Sequence, residues 1–153
     1  MLQRVDSDQA PKFLKGHAAG ITMATLDPDG SKVVTGSDDW SARLWDAKSG
    51  VLLSTMRGHV NSVDSVAFSS DSTLIASVGR DDTLRVWDPA SGVQLFRFEV
   101  PPEPRRQRIF DFDGSQILYR AGASEVWLVD CEPCSNMATL QSLARARLKV
   151  EVR

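Results

Sequence analysis

Short segments with apolar residues at alternating positions, separated by polar turns, run along most of this 153-residue chain. Such alternation predicts half-buried β-strands, and Gly, Pro, Asp and Ser mark the turns between them. Two consecutive stretches each contain four of these segments. The predicted strands are 21–26, 32–35, 41–45 and 51–56 in the first stretch, and 62–68, 73–77, 83–87 and 93–98 in the second.

A third stretch continues the pattern with fewer segments. It predicts strands over 109–112, 115–119 and 125–129, and no fourth strand follows Asp130. Apolar residues at helical spacing then predict a short C-terminal helix from about Met137 to Lys149. Near the other end, Pro11–Leu14 has the position of an outer strand that precedes the first stretch. We therefore expect an all-β protein of about three four-stranded antiparallel sheets, followed by a short helix.

The stretches are copies of one another at a shift of 42 residues. Gly16-His17 recurs as Gly58-His59, and Trp45-Asp46 recurs as Trp87-Asp88. A period of this length, with Gly-His near its start and Trp-Asp near its end, resembles the WD40 repeat. The resemblance implies β-propeller blades, with repeats at about 14–56 and 56–98 and a degenerate repeat at 99–130. On this basis residues 1–130 form a partial propeller, and 131–153 form a tail that contains Cys-x-x-Cys and the helix.

The resemblance also implies a chain of hydrogen bonds from Trp through Ser or Thr and His to Asp in each intact blade. The residues at these positions are Trp45, Thr35, His17 and Asp39 in repeat one, and Trp87, Ser77, His59 and Asp81 in repeat two. A buried indole N–H needs an acceptor, which a hydroxyl provides. A Ser-His-Asp hydrolase triad would use the same residue types. A catalytic site would not recur at a fixed period, so we expect structural tetrads and no enzyme.

Composition and charge narrow the functional classes. The chain is 42% hydrophobic and 25% charged, as in ordinary globular proteins, and its net charge is −2. This charge gives no general field that would attract nucleic acid or acidic membranes. No apolar run is long enough to span a bilayer, and Met1–Lys15 lacks the apolar core of a signal peptide. We expect a cytoplasmic protein that binds neither nucleic acid nor membrane.

Cys131 and Cys134 allow an alternative function, a small redox or metal-binding module. A zinc site would need two further ligands, and none is nearby in the sequence. We therefore expect no cofactor and no metal, and interpret the pair as packing residues able to form a local disulfide. The segment from Val129 to Arg147 also resembles the tail after the last blade of bacterial multi-repeat WD40 proteins. That resemblance implies the ligand-binding or sensor end of a larger bacterial signalling protein.

The family resemblance implies a non-catalytic scaffold that binds a protein or peptide at one edge, which carries the loops between consecutive blades and the loop between the second and third strands of each blade. Asp38 and Arg80 precede the tetrad aspartates and are candidate contacts, as is Trp40, which either contacts a partner or packs on the neighbouring turn. Propellers have about 4–8 blades, so three blades cannot close a ring. We expect either a homodimer that closes a six-bladed ring by exchanging Pro11–Leu14, or upstream blades in a longer chain.

Overall fold

The computed structural model describes residues 13–100, 108–120 and 126–131, and within them every regular element is a β-strand. The first sheet, blade 1, has the order β1-β2-β3-β4. Its strands are β1 (Ile21–Leu26), β2 (Lys32–Ser37), β3 (Ser41–Asp46) and β4 (Leu52–Arg57). No helix in this described part of the chain could cross a membrane. The predicted helix at 137–149 lies outside the described residues.

Blades 2 and 3 repeat this arrangement, and all neighbouring strands are antiparallel. Blade 2 consists of β5 (Val63–Phe68), β6 (Ile75–Gly79), β7 (Thr83–Trp87) and β8 (Gln94–Glu99). The described part of blade 3 has three strands, β9 (Arg108–Phe112), β10 (Gln116–Arg120) and β11 (Val126–Asp130). The all-β fold of antiparallel blades predicted from the sequence is confirmed.

The predicted strand positions agree with the structure to within about two residues. The largest difference is at β6, which begins at Ile75 instead of residue 73. Thr73 donates its amide and hydroxyl to the Asp71 carboxylate, and the Leu74 amide donates to the Ser69 hydroxyl, so these groups complete the preceding turn. Phe13 and Leu14, the described half of the predicted outer strand, pair with no sheet among the described residues.

Two apolar clusters hold the blades together, because each sheet has two faces to cover. The first cluster lies between blades 1 and 2, and the second lies between blades 2 and 3. Blade 2 is thus covered on both sides, and nearly every residue of β5, β6 and β7 is buried. Alternate side chains of β6 serve opposite clusters, with Ile75 in the first and Ala76 in the second.

The turn after β7 brings blade 2 against the outer strand of blade 1. Gly92 in this turn has a φ of +70°, and a Cβ placed there would lie 2.8 Å from the backbone oxygen of Thr55 in β4. The Ser54 hydroxyl also donates to the Pro89 carbonyl, at 2.8 Å. Gly30 has a similar φ of +74° but has nothing within 4 Å of a Cβ position. Both positions therefore require the left-handed conformation, but only Gly92 also requires the absence of a side chain next to β4.

We predict that Gly92→Ala destabilises the protein more than Gly30→Ala. Both substitutions force alanine into the left-handed region, at a cost of about 1 kcal/mol. Gly92→Ala should add about 1–3 kcal/mol, the usual cost of overpacking, because backbone atoms of β4 must move. Urea unfolding of the two variants at equal protein concentration measures the difference. Equal losses in the two variants would contradict the prediction.

Candidate functional site

In blade 1, four side chains from separate elements form one hydrogen-bonded chain. His17 precedes β1, Thr35 lies in β2, Asp39 lies in the turn after β2, and Trp45 lies in β3. The Trp45 Nε1–H donates to Thr35 Oγ1 at 2.8 Å, and that oxygen lies 2.7 Å from His17 Nε2. His17 Nδ1 lies 2.8 Å from Asp39 Oδ2. Since the carboxylate only accepts, Nδ1 carries a proton that it donates to Asp39.

Blade 2 has the same chain in a more buried setting. The Trp87 Nε1–H donates to Ser77 Oγ at 2.8 Å, and Ser77 Oγ lies 2.7 Å from His59 Nε2. His59 Nδ1 lies 2.9 Å and 3.0 Å from the two carboxylate oxygens of Asp81. The structure thus brings together all eight residues named from the sequence, as two separate groups of four.

Further donors converge on each aspartate, and the sequence analysis missed them. Asp81 accepts hydrogen bonds from the Val60 amide, the Thr83 hydroxyl and the Arg85 guanidinium, at 3.0, 2.7 and 3.2 Å. The equivalent donors to Asp39 in blade 1 are Ala18, Ser41 and Arg43. A signal was present, because Ser/Thr-x-Arg-x-Trp-Asp recurs at the same 42-residue shift, starting at residues 41 and 83.

These contacts set the charge states of the network. Burial opposes ionisation of Asp81, but the hydrogen bonds from His59 and Thr83 outweigh it, so the pKa of Asp81 lies below its usual value. Burial likewise opposes ionisation of Asp39, and the hydrogen bonds from Ser41, the Ala18 amide and His17 hold its pKa well below the usual range. Burial lowers the pKa of His59 despite its contact with Asp81. Each network therefore contains an ionised aspartate, and His59 is neutral.

The arrangement suits a structural role and offers no reactive group. Ser77 and Thr35 are buried, and each hydroxyl accepts from an indole and is hydrogen-bonded to an imidazole nitrogen. A hydroxyl in this position cannot reach a substrate, so the geometry of a hydrolase site is not formed. Among the described residues no group of three or more His, Cys, Asp or Glu side chains could hold a metal ion.

The candidate partner contacts lie at the same edge as the two networks. Trp40 follows Asp39 in the turn between β2 and β3, and its side chain is exposed, at 53%. Its amide donates to the Ser37 carbonyl, and its φ is 67°, in the left-handed region. Asp38 in the same turn is exposed. Val60, which was not identified from the sequence, is 71% exposed at the start of blade 2.

Arg80 has a definite intramolecular partner. Its Nε–H donates to Asp64 Oδ1 at 3.0 Å, and the Asp64 side chain is buried whereas 44% of the Arg80 side chain is exposed. In blade 1 the equivalent positions hold Asp38 and Thr22, so the repeat contains no second copy of this pair. The structure therefore places Arg80 in the turn equivalent to that of Trp40, fixed by a residue of β5.

Cys131 ends β11, where it is buried in the second apolar cluster and is disulfide-bonded. Its amide donates to the Ser115 carbonyl. Cys134 and the rest of the tail lie outside the described residues. The contacts of Cys131 are those of a packing residue at the end of a strand.

Comparisons with known proteins agree with this geometry. The family model for the WD domain, G-beta repeat, matches residues 9–46 and 50–88, which together make up half of the chain. WD repeat-containing protein 18 from Mus musculus is 44% identical over 45 residues, which are 29% of this chain and 10% of that protein. Two solved structures, "Structure of U3-55K" and "Crystal structure of RRP9 WD40 repeats", match with a TM-score of 0.66 at 24% identity, over 78% of this chain and 38% of theirs. The chain therefore spans well under half the length of these relatives.

We predict that Ser77→Ala destabilises the protein markedly more than Ser91→Ala. The first substitution leaves the Trp87 indole N–H and His59 Nε2 buried without partners, at a cost of about 1–3 kcal/mol for each group. Ser91 is the matched control, because its exposed hydroxyl donates only to the Asp88 carboxylate. Urea unfolding followed by tryptophan fluorescence measures both variants. Similar losses for the two would show that the network contributes nothing beyond an ordinary surface hydrogen bond.

We also predict that acid destabilises the protein in two stages. Since the pKa of His59 is lower in the folded chain, stability is complete above its ordinary value of 6.5 and falls as the pH drops below that value. Asp39 and Asp81 also have lowered pKa values, so a second loss follows as the pH falls below their ordinary value of 3.8. Unfolding midpoints in urea between neutral and acid pH test this. His59→Gln should reduce the first loss and leave the part of the second loss that comes from Asp39, and an unchanged first stage would contradict the assignment.

Proposed function

This chain belongs to the WD40 repeat family, and on that premise we propose that it is a non-catalytic scaffold for protein–protein interaction. Its binding edge is the one that carries the two hydrogen-bonded networks, with the turns at 37–40 and 79–82 and the segments that lead into β1 and β5. WD40 domains bind mainly proteins and peptides and are generally not enzymes. The partner we propose is accordingly a protein or a peptide.

Trp40 is the observation that carries this proposal. A large aromatic side chain in the left-handed region costs about 1–2 kcal/mol, whereas Asn, Asp and Gly tolerate that conformation. The equivalent residue of blade 2 is Asp82, with a φ of 54°, so the same turn is built there with a residue that suits it. Trp40 is nevertheless half exposed. Strain retained at an exposed aromatic residue is typical of a site that contacts a partner, where tryptophan is the commonest energetic hot spot.

The surroundings of Trp40 suggest the chemistry of the partner. Val60 adds a second exposed apolar side chain at this edge, and Asp38 and Arg80 supply one charge of each sign. A guanidinium carries five N–H donors, so the bond to Asp64 positions Arg80 without using all of its donors. An apolar centre with mixed charge around it fits a peptide that combines an apolar anchor with polar neighbours, and does not fit a polyanion.

The proposal includes the assembly in which these blades act. Three blades are fewer than the 4–8 that close a propeller, so further blades complete the ring, from a second copy or from a longer chain. The similarity of the segment from Val129 to Arg147 to the tails of bacterial multi-repeat proteins supports a place at the ligand-binding end of a larger signalling protein. The described residues give no support to the redox or metal alternative, because Cys131 is buried in the second apolar cluster.

We predict that Trp40→Asn weakens peptide binding while stabilising the fold. Peptides selected from a displayed library of short random sequences against the wild-type chain should bind Trp40→Asn at least about tenfold more weakly, as expected for an aromatic hot spot. The same variant should be more stable by about 1 kcal/mol, because asparagine tolerates the left-handed conformation. Isothermal titration and urea unfolding measure the two effects.

The matched control is Asp82→Asn, which changes the equivalent turn position of blade 2 conservatively. It should leave both peptide affinity and stability nearly unchanged. A loss of stability in Trp40→Asn would show that Trp40 packs on its neighbouring turn and is not held out for a partner. Unchanged affinity in Trp40→Asn, or a wild-type chain that selects no peptide, would contradict the proposed function.

A further inference from the structure

Each contact between blades joins two different faces, which recur at the 42-residue shift. We call the face of a blade toward the preceding blade its leading face, and the face toward the following blade its trailing face. The leading face of blade 2 is made by Val63, Val66, Phe68, Ile75 and Trp87. The trailing face of blade 1, which covers it, is made by Val34, Ala42, Leu44 and Met56.

The leading face of blade 1 has the same apolar character, but no other blade in the described part of the chain covers it. Its residues, by the 42-residue shift, are Ile21, Ala24, Leu26, Val33 and Trp45. Ile21 is 51% exposed, whereas its counterpart Val63 is completely buried. Leu26 is 57% exposed, against 9% for Phe68. Within each pair both residues are apolar and occupy equivalent strand positions, and the buried one has another blade in front of it, so blade 1 has the composition of a blade that is packed on both sides.

The trailing face of blade 3 is uncovered in the same way. Leu118 in β10 and Leu128 in β11 are paired in register and correspond to the pair Val34 and Leu44 of blade 1. Leu128 is 57% exposed, whereas Leu44 is 3% exposed. The described part of the chain therefore has one uncovered leading face and one uncovered trailing face, which are the two halves of a contact that it already makes twice.

The segment before blade 1 marks the place of a preceding blade. A Cβ on Gly50 would lie 3.7 Å from Leu14 Cδ2 and 3.8 Å from the Phe13 carbonyl oxygen. The equivalent Gly92 is approached by Ser54 and Thr55 of β4, the outer strand of the preceding blade. Phe13 and Leu14 thus have the same position relative to blade 1 that the outer strand β4 has relative to blade 2. Blade 3, in its described part, has three strands and no outer one.

We infer that a second copy of this chain packs the trailing face of its blade 3 on the leading face of blade 1, and that Phe13–Leu14 lies beside β11 of that copy as the fourth strand. Two such contacts, related by a two-fold axis, close a six-bladed ring from two chains. The occupant is a second copy because each copy carries both halves of the contact, already matched to each other within the chain. This inference rests on the proposed scaffold function and names the partner that completes it.

Light scattering on a sizing column, with circular dichroism of the peak, tests the inference on the full chain. The wild-type protein should be β-rich with twice the 16.8 kDa chain mass. Ile21→Glu on the leading face and Leu128→Glu on the trailing face should each raise the dimer Kd by about 100-fold or more, because a carboxylate would be buried against apolar side chains. Val60→Glu, at an exposed apolar residue on neither face, is the matched control and should remain dimeric.

Mixing the two interface variants tests the head-to-tail geometry. A dimer with one Ile21→Glu chain and one Leu128→Glu chain places both carboxylates in one contact and leaves the other contact as in the wild type. The mixture should therefore dimerise more tightly than either variant alone. If like faces met instead, one of the two variants would remain fully dimeric, which would overturn the inference.

A folded wild-type monomer, or a chain that only aggregates, would also overturn the inference, and would indicate that the missing blades belong to a longer chain or to another protein. The proposed function is measured separately, through Trp40-dependent peptide binding. Binding that persists in a monomeric chain would contradict the dimer alone, and a stable dimer without such binding would contradict the proposed function alone.

Discussion

Every feature of this protein depends on the need of a four-stranded antiparallel sheet to cover two apolar faces. Water can solvate one face of a sheet, but β5, β6 and β7 bury residues on both faces, so the sheet is stable only between two others. Blade 2 meets this condition, with blade 1 on one side and blade 3 on the other. The repeat of 42 residues is the unit that satisfies the condition by stacking, and it explains why Ile21, Leu26 and Leu128 are exposed at the faces that no described blade covers.

The hydrogen-bonded networks meet a second requirement, which is to provide an acceptor for each buried indole N–H. Trp45 in β3 and Trp87 in β7 are both buried, so the indole N–H of each has no access to water. The hydroxyl accepts from the indole, the imidazole bonds to the hydroxyl, and the carboxylate bonds to the imidazole. The negative charge of that aspartate is stabilised by further backbone and side-chain donors. The network also ties the segment before each blade to the turn between its second and third strands. That edge is therefore rigid, and a rigid edge is where an exposed side chain such as Trp40 keeps a fixed direction.

Much of this could be predicted from the sequence, because the information was local and repeated. Strand positions followed from alternating apolar residues, and the members of the two networks followed from the resemblance and the shift. The partner of Arg80 could not be predicted in the same way. Asp64 lies 16 residues away in the sequence, in β5. Blade 1 has Thr22 and Asp38 at the equivalent positions, so the repeat does not indicate that the two residues pair. The left-handed turn at Trp40 was also hidden, since tryptophan is not a residue that predicts that conformation.

Comparing equivalent positions of the two complete blades distinguishes residues that the fold requires from residues that it does not. Positions at which the blades agree, such as the Trp, His and Asp of each network, are needed in both because each has the same buried groups to satisfy. Where the two blades have different residues in the same backbone conformation, the need to satisfy buried polar groups does not explain the difference. Trp40 and Asp82 occupy one turn conformation, which the aspartate satisfies at lower cost. A requirement of the fold would favour the cheaper residue in both blades, and this is the reason for our proposal that the tryptophan contacts a partner.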